Sequence, residues 1–344
     1  MGPMIVNIDS TELSNQECAL LENELIGGVL LFDHNYVDKI QVNDLIKSIK
    51  NINDKLVIAI DQEGGRVQRF KNGFTLLPSF SEIGHSYLTD PDLADKIAYS
   101  SGYVCGYELK EIGIDINFSP VIDLSFESNV LNKRTLSSDP AIVIRLASMY
   151  IKGLIDNGIT PTLKHFPGHG CVSSDTHLNV SKCEISYNDL LPHISTFKEL
   201  HNQFMVPIMT SHIIFTEISD SPVTTSNQWL GKLSKDIYKT EPFFISDDLE
   251  MAAITDKYSN QSRIDILNKS LESGCNMAIV TTMQNKSIIN NNMSYDFYNS
   301  EYISKSHDIL ALKLDKDLLC PNNIIYNKGK NSVYQDAVKC LENI

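Results

Sequence analysis

The chain predicts a single-domain α/β fold, a (β/α)8 barrel of the TIM type. Three observations carry that reading. Eight short apolar, β-rich runs recur along the 344 residues, spaced so that a helix fits between neighbours. The runs are continuously apolar rather than alternating, as expected of strands buried on both faces of a parallel sheet. Several of them end in ionisable residues, and a barrel of this kind gathers its chemistry at the C-terminal ends of its strands.

In chain order the predicted strands are Met4–Asp9, Gly27–Phe32, Leu56–Asp61, Asp115–Pro120, Pro161–Phe166, Pro207–His212, Phe243–Asp248 and Asn276–Thr281. Helical patterns lie between them. Asp139 and Pro140 supply an N-cap and a first-turn proline, Val143, Ala147, Ile151 and Leu154 then share a face, and Gly158 closes the segment. Asp90–Ile112, Tyr187–Phe204 and Asn260–Gly274 read the same way. A doubly wound sheet is the alternative, but no G-x-G-x-x-G follows a strand, and Glu63-Gly64-Gly65-Arg66 has the wrong spacing. The barrel is assigned residues 1–283. Residues 284–344 form a polar segment and C-terminal helices packing on the barrel. Within them 284–305 are rich in Asn, Ser and Tyr and suggest a polar surface or partly disordered stretch, and 306–344 are predicted to hold two short helices.

At 42% hydrophobic the chain has ample material for a core, and its net charge of −14 argues against nucleic acid or an anionic membrane as partner. The seven cysteines are odd in number and form no C-x-x-C pair, which points to a reducing compartment. No signal peptide and no membrane-length apolar run is recognised, so a cytoplasmic, monomeric protein is expected.

The densest chemistry lies in Lys164-His165-Phe166-Pro167-Gly168-His169-Gly170 with Asp175-Thr176-His177 after it. Apolar residues lead into a Pro-Gly turn, and fourteen residues present one Lys, three of the chain's nine His and one Asp. Asp61, Lys164, His165, His212, Asp247 and Asp248 all fall at or near predicted strand ends. Burying so many ionisable groups is costly unless they pair or act, so a polar pocket at one barrel mouth is expected. Successive residues of a strand face opposite ways. Either Asp247, with Phe243 and Ile245, or Asp248, with Phe244 and Ser246, points into that pocket, and alternation alone leaves the choice open.

The segment Leu163–Gly170 with its downstream D-x-H resembles the signature of bacterial β-N-acetylglucosaminidases of glycoside hydrolase family 3. Ala59–Phe70 (AIDQEGGRVQRF), Asp115–Asp123 (DINFSPVID) and Ile245–Met251 (ISDDLEM) agree in the same order, and the likeness spans roughly residues 1–282. It implies the barrel fold and the removal of terminal β-linked N-acetylglucosamine from muropeptides during cell-wall recycling. No cofactor or metal is implied. It further implies Asp247 as the nucleophile, because that Asp follows Ser directly, and a His177–Asp175 dyad as acid/base. A histidine titrates near the working pH, and a carboxylate neighbour fixes its tautomer. Asp61, Arg69, Arg134, Lys164 and His165 match substrate-binding positions, and their donors and acceptors suit sugar hydroxyls and an acetamide. His212 is expected to line the pocket or to support Asp247, Asp248 to be structural, His169 to be structural and Arg66 to be a surface charge.

Three positions depart from the family. Asn132-Lys133-Arg134-Thr135-Leu136 replaces Gly-acidic-Arg-Ser-aromatic. Pro242 takes the place of a glycine and Asn276 that of an aspartate. Other readings remain possible. A metal-dependent barrel hydrolase could use His165, His169, His177, His212 and Asp247, but the first two flank Phe-Pro-Gly and share no helix face. A catalytically silent sugar-binding protein would not need a nucleophile. A β-glucosidase of the same family fits the one-domain length and the D-x-H loop less well.

Overall fold

A computed structural model describes residues 2–125, 131, 133–169, 180–281 and 330–342. The parallel strands are β1 (Met4–Asn7), β2 (Ile26–Leu31), β3 (Val57–Ile60), β6 (Ile116–Asn117), β7 (Thr160–Pro161), β8 (Leu163–Phe166), β10 (Ile208–Thr210), β12 (Phe244–Asp248) and β13 (Met277–Val280). They run side by side in the order β7-β6-β3-β2-β1-β13-β12-β10-β8. The two outermost segments, β7 and β8, are one stretch of chain interrupted at Thr162. The predicted fifth strand is therefore two pieces, one paired with β6 and the other with β10, and it closes the ring. A bridge between Val121 and Lys164 strengthens the seam. The result is an eight-stranded barrel, as the sequence predicts.

The helices follow from their sequences. α1 (Asn15–Leu21) starts with a Ser14–Glu17 capping box, and α2 (Lys39–Ile52) turns Val42, Leu45, Ile46 and Ile49 inward. α3 (Phe80–Thr89) precedes α4 (Pro91–Glu111), which begins at an Asp90 cap followed by proline. α5 (Pro140–Asp156) repeats that device with Asp139, and α6 (Tyr187–Phe204) begins at Ser186. The sequence places no helix between the sixth and seventh strands. The structure puts a π-helical turn there, Gln228–Leu233, running into the short α7 (Ser234–Ile237). α8 (Ala252–Thr255) is one turn, and α9 (Arg263–Ser273) starts later than predicted because Ser262, with Asp265, forms the cap. α10 (Lys330–Glu342) packs on α4, where Tyr334 stacks on Tyr107 at 4.5 Å and donates to Glu108 at 2.8 Å. The expectation for residues 284–305 lies outside the described residues.

Two apolar layers hold the barrel together. Met4, Val6, Ile8, Leu31, Ile58 and Phe244 face the helices in one large cluster. Ile5, Leu30, Val57, Ala59, Ile116, Phe118, Met209, Phe243, Ile245, Met277 and Ile279 fill the lumen. The fifth strand adds nothing apolar to the lumen. Leu163 belongs to the outer cluster, so alternation points Thr162 and Lys164 inward.

Candidate active site

The lumen layer fixes what lies above it, because the residue two beyond each lumen position faces the same way. Asp61 follows Ala59, and Asp247 follows Ile245. Phe243 and Ile245 are lumen residues whereas Phe244 is not, but the register against β13 shifts between Ile245 and Asp248, so alternation does not choose between the two carboxyls. The Asp247 charge acts on the buried His169, which puts Asp247 on the side of Asp123 and His165. Asp248 turns away. Its Oδ1 accepts from Glu250 N at 3.1 Å and its Oδ2 accepts from the Thr281 hydroxyl. Burial pushes the Asp248 carboxyl up to about 6, the opposing bonds from Thr281 and Glu250 notwithstanding.

Asp61 ends β3, and the chain then doubles back through β4 (Gln62–Gly64) and β5 (Val67–Gln68). Gly64 and Gly65 make the turn with φ of 110° and 54°. Gln62 points behind the hairpin and fixes it. Its Oε1 accepts from Arg69 N at 2.8 Å and Phe70 N at 3.0 Å. Its backbone is clamped by the side-chain amide of Asn117, at 2.9 Å in each direction. Alternation along Asp61-Gln62-Glu63 returns Glu63 to the pocket side.

A compact ion cluster results. Lys164 Nζ lies 2.7 Å from Asp61 Oδ1 and 2.7 Å from Glu63 Oε1. Arg134 holds Glu63 in a fork, Nε–Oε2 3.0 Å and Nη2–Oε1 2.8 Å, and Arg69 reaches Asp61 at 3.4 Å while lying over the Phe32 ring. Burial alone would protonate Glu63, but the Arg134 and Lys164 charges outweigh it and hold the carboxyl far below the usual range. Burial likewise favours neutral Lys164, and the Asp61 and Glu63 charges reverse this and raise it. Glu63 and Lys164 are thus held charged, and the cluster presents fixed donors and acceptors.

A second arrangement centres on Asp123, which is fully buried. It accepts from His165 Nδ1 at 2.8 Å, from His165 N at 3.2 Å and from His169 N at 2.6 Å. Burial would raise the carboxyl, and the neighbouring histidines bring it below its ordinary value. A carboxylate only accepts, so His165 carries its proton on Nδ1 and keeps Nε2 for a ligand. His169 is pushed down to about 4 by burial and by the His165 charge, so it is neutral at pH 7, and the Asp247 charge also acts on it. His169 serves the turn as a backbone donor to Asp123.

The structure brings Asp61, Arg69, Arg134, Lys164, His165 and Asp247 together at one mouth. Asp175 and His177 lie outside the described residues. Further along the chain, the Ser181 carbonyl accepts from Ile214 N at 3.0 Å. There β9 (Lys182–Cys183) pairs with β11 (Ile214–Phe215). His212 has the geometry of the supporting role. Its Nε2 bonds the carbonyl of Asp248 at 2.9 Å and its Nδ1 meets Thr224 Oγ1 at 2.8 Å, so it braces the strand that carries Asp247. Arg66 is exposed.

Glu63 and Asp123 were not singled out by the sequence, although both stand in the recognisable segments. The i+2 spacing from Asp61 was the available signal for Glu63. Two of the departures are also accommodated. Asn276 Oδ1 accepts from Phe244 N at 2.7 Å, a task a neutral amide performs. Lys133 takes φ 58°, and its carbonyl accepts from Ser81 N at 3.2 Å.

The family model described as the glycosyl hydrolase family 3 N terminal domain matches residues 4–297. A beta-hexosaminidase of Tolumonas auensis is 38% identical over 288 residues, covering 81% of this chain and 82% of its own. One from Nitrosomonas eutropha is 35% identical over 283 residues, covering 81% and 80%. The solved structure of native NagZ from Neisseria gonorrhoeae superposes with a TM-score of 0.85 at 28% identity, covering 99% of this chain and 98% of that one. The same NagZ has been solved in complex with N-trifluoroacetyl-D-glucosamine.

Proposed function

The chain belongs to glycosyl hydrolase family 3, and on that premise we propose that it is a retaining exo-β-N-acetylglucosaminidase acting on muropeptides in cell-wall recycling. That it is a glycoside hydrolase of the β-hexosaminidase type follows from its relatives. The finer reading rests chiefly on one observation: Asp247 shares a mouth with the Asp61–Lys164–Glu63–Arg134 ion cluster. An N-acylated glucosamine in the related NagZ supports the same sugar here.

In this reading the cluster holds the sugar. Asp61 accepts from ring hydroxyls, Lys164, Arg69 and Arg134 donate to hydroxyls and to the acetamide carbonyl, and His165 Nε2 accepts from a hydroxyl. Asp247 attacks the anomeric carbon while His177, oriented by Asp175, gives its proton to the departing oxygen. A glycosyl ester of Asp247 forms. Water then loses a proton to His177 and attacks the same carbon, and the bonding pair returns to the Asp247 carboxylate.

The test is release of nitrophenol from p-nitrophenyl β-N-acetylglucosaminide, with the β-glucoside as control. Turnover that survives EDTA and falls by several orders of magnitude in Asp247→Ala is expected. A folded wild type inactive on both substrates would leave a sugar-binding protein in place of an enzyme.

A further inference from the structure

Ser211 is 1% exposed, and its hydroxyl has no hydrogen-bond partner among the described residues. Its direction follows from its neighbours. Thr210 Oγ1 and His212 Nδ1 each meet Thr224 Oγ1 at 2.8 Å on the outer side of the sheet, so Ser211 faces the lumen with Met209. Its lateral position follows from the register. Met209 pairs with Ile245 and Thr210 with Ser246, and Ser211 and Asp247 are the residues that follow this last pair, so the two are neighbours at the ends of β10 and β12. On the other flank Ser211 N donates to Phe166 O at 2.9 Å, next to the strand that carries Lys164 and His165.

A buried hydroxyl without a partner destabilises the fold, and such a group in a native structure calls for a role that repays the cost. We infer that Ser211 is a positioning residue for Asp247, its hydroxyl donating to the Asp247 carboxylate once substrate is seated. The inference rests on the reading of Asp247 as nucleophile. Catalytic hydrogen bonds are often long in an empty site and tighten in the complex. The bond falls on the carboxylate oxygen not used for attack, which fixes the attacking rotamer. In the glycosyl ester the same hydroxyl meets the carbonyl oxygen. When water displaces the sugar, the electron pair returns to a carboxylate that already has a donor.

Steady-state kinetics on p-nitrophenyl β-N-acetylglucosaminide, with thermal melts, for wild type, Ser211→Ala and Ser211→Cys test this. For the Ala variant kcat should fall about tenfold with KM changed by less than about twofold. The near-isosteric Cys, a weak donor, should fall between. The Ala variant should melt no lower than wild type, because it loses an unpaired polar group. An Ala variant with wild-type kcat, or an effect confined to KM, overturns the inference and leaves the functional reading standing. An inactive wild type brings down both.

Discussion

Asp248 makes a testable pH argument on its own. Its carboxyl is raised from 3.8 to about 6 in the folded chain, chiefly by burial. The folded protein therefore keeps this proton over a range in which the unfolded chain has lost it. The stabilisation linked to it is fully present below about pH 4, drains away up to about pH 6, and leaves a cost on the order of 3 kcal/mol above that. Asn in this position keeps a carbonyl for Glu250 N and gives the Thr281 hydroxyl an amide donor. Asp248→Asn should therefore exceed the parent in stability at pH 8, by roughly 1–3 kcal/mol, and match it at pH 4. Urea unfolding at the two pH values checks this, and a difference independent of pH would contradict it. The neighbouring Asp247 shows what residue types alone could convey. The Ser-Asp-Asp run announced a strand-end carboxylate, yet alternation could not choose between the two, because the register of β12 against β13 shifts between Ile245 and Asp248.

At the scale of elements, helix boundaries were the most legible feature, because caps are local. Asp90, Asp139 and Ser186 each accept from a backbone N–H at a helix start, whereas the Ser262 cap was missed by two residues. The break at Thr162 and the π-helical turn before the seventh strand have no comparable local signal, since ring closure and packing from outside decide them. Helix contact is a case in point. A Cβ at Gly102 of α4 would stand 2.1 Å from the Tyr150 carbonyl of α5, and one at Gly153 of α5 2.4 Å from Tyr103 N. The two helices therefore touch backbone to backbone. Gly102→Ala should force them apart and lower stability by about 1–3 kcal/mol or more. KM should not change, since the contact lies on the outer wall of the barrel. Calorimetry with parallel kinetics separates the two effects. A Gly102→Ala protein of unchanged melting temperature would mean that the helices are not held this closely.

For the whole molecule, the eight apolar runs sufficed for the barrel, because a parallel sheet covered on both faces leaves a strong pattern in sequence. The site was legible where strand ends coincide with ionisable residues, as at Asp61, Lys164 and Asp247. It was less so where partners are distant in the chain. Glu63 is bound by Arg134 and Lys164, and Asp123 by His165 and His169, and no short window contains both members of these pairs. No helix among the described residues is long and apolar enough to cross a membrane.

The central claim is that Asp247 forms a covalent bond to the sugar. Mass spectrometry of the enzyme inactivated by a 5-fluoro-N-acetylglucosaminyl fluoride tests it directly. The account predicts one added glycosyl unit, located on the peptide at Asp247 and absent from Asp247→Ala. Inactivation with the label on another residue, or turnover with no adduct under trapping conditions, would contradict it.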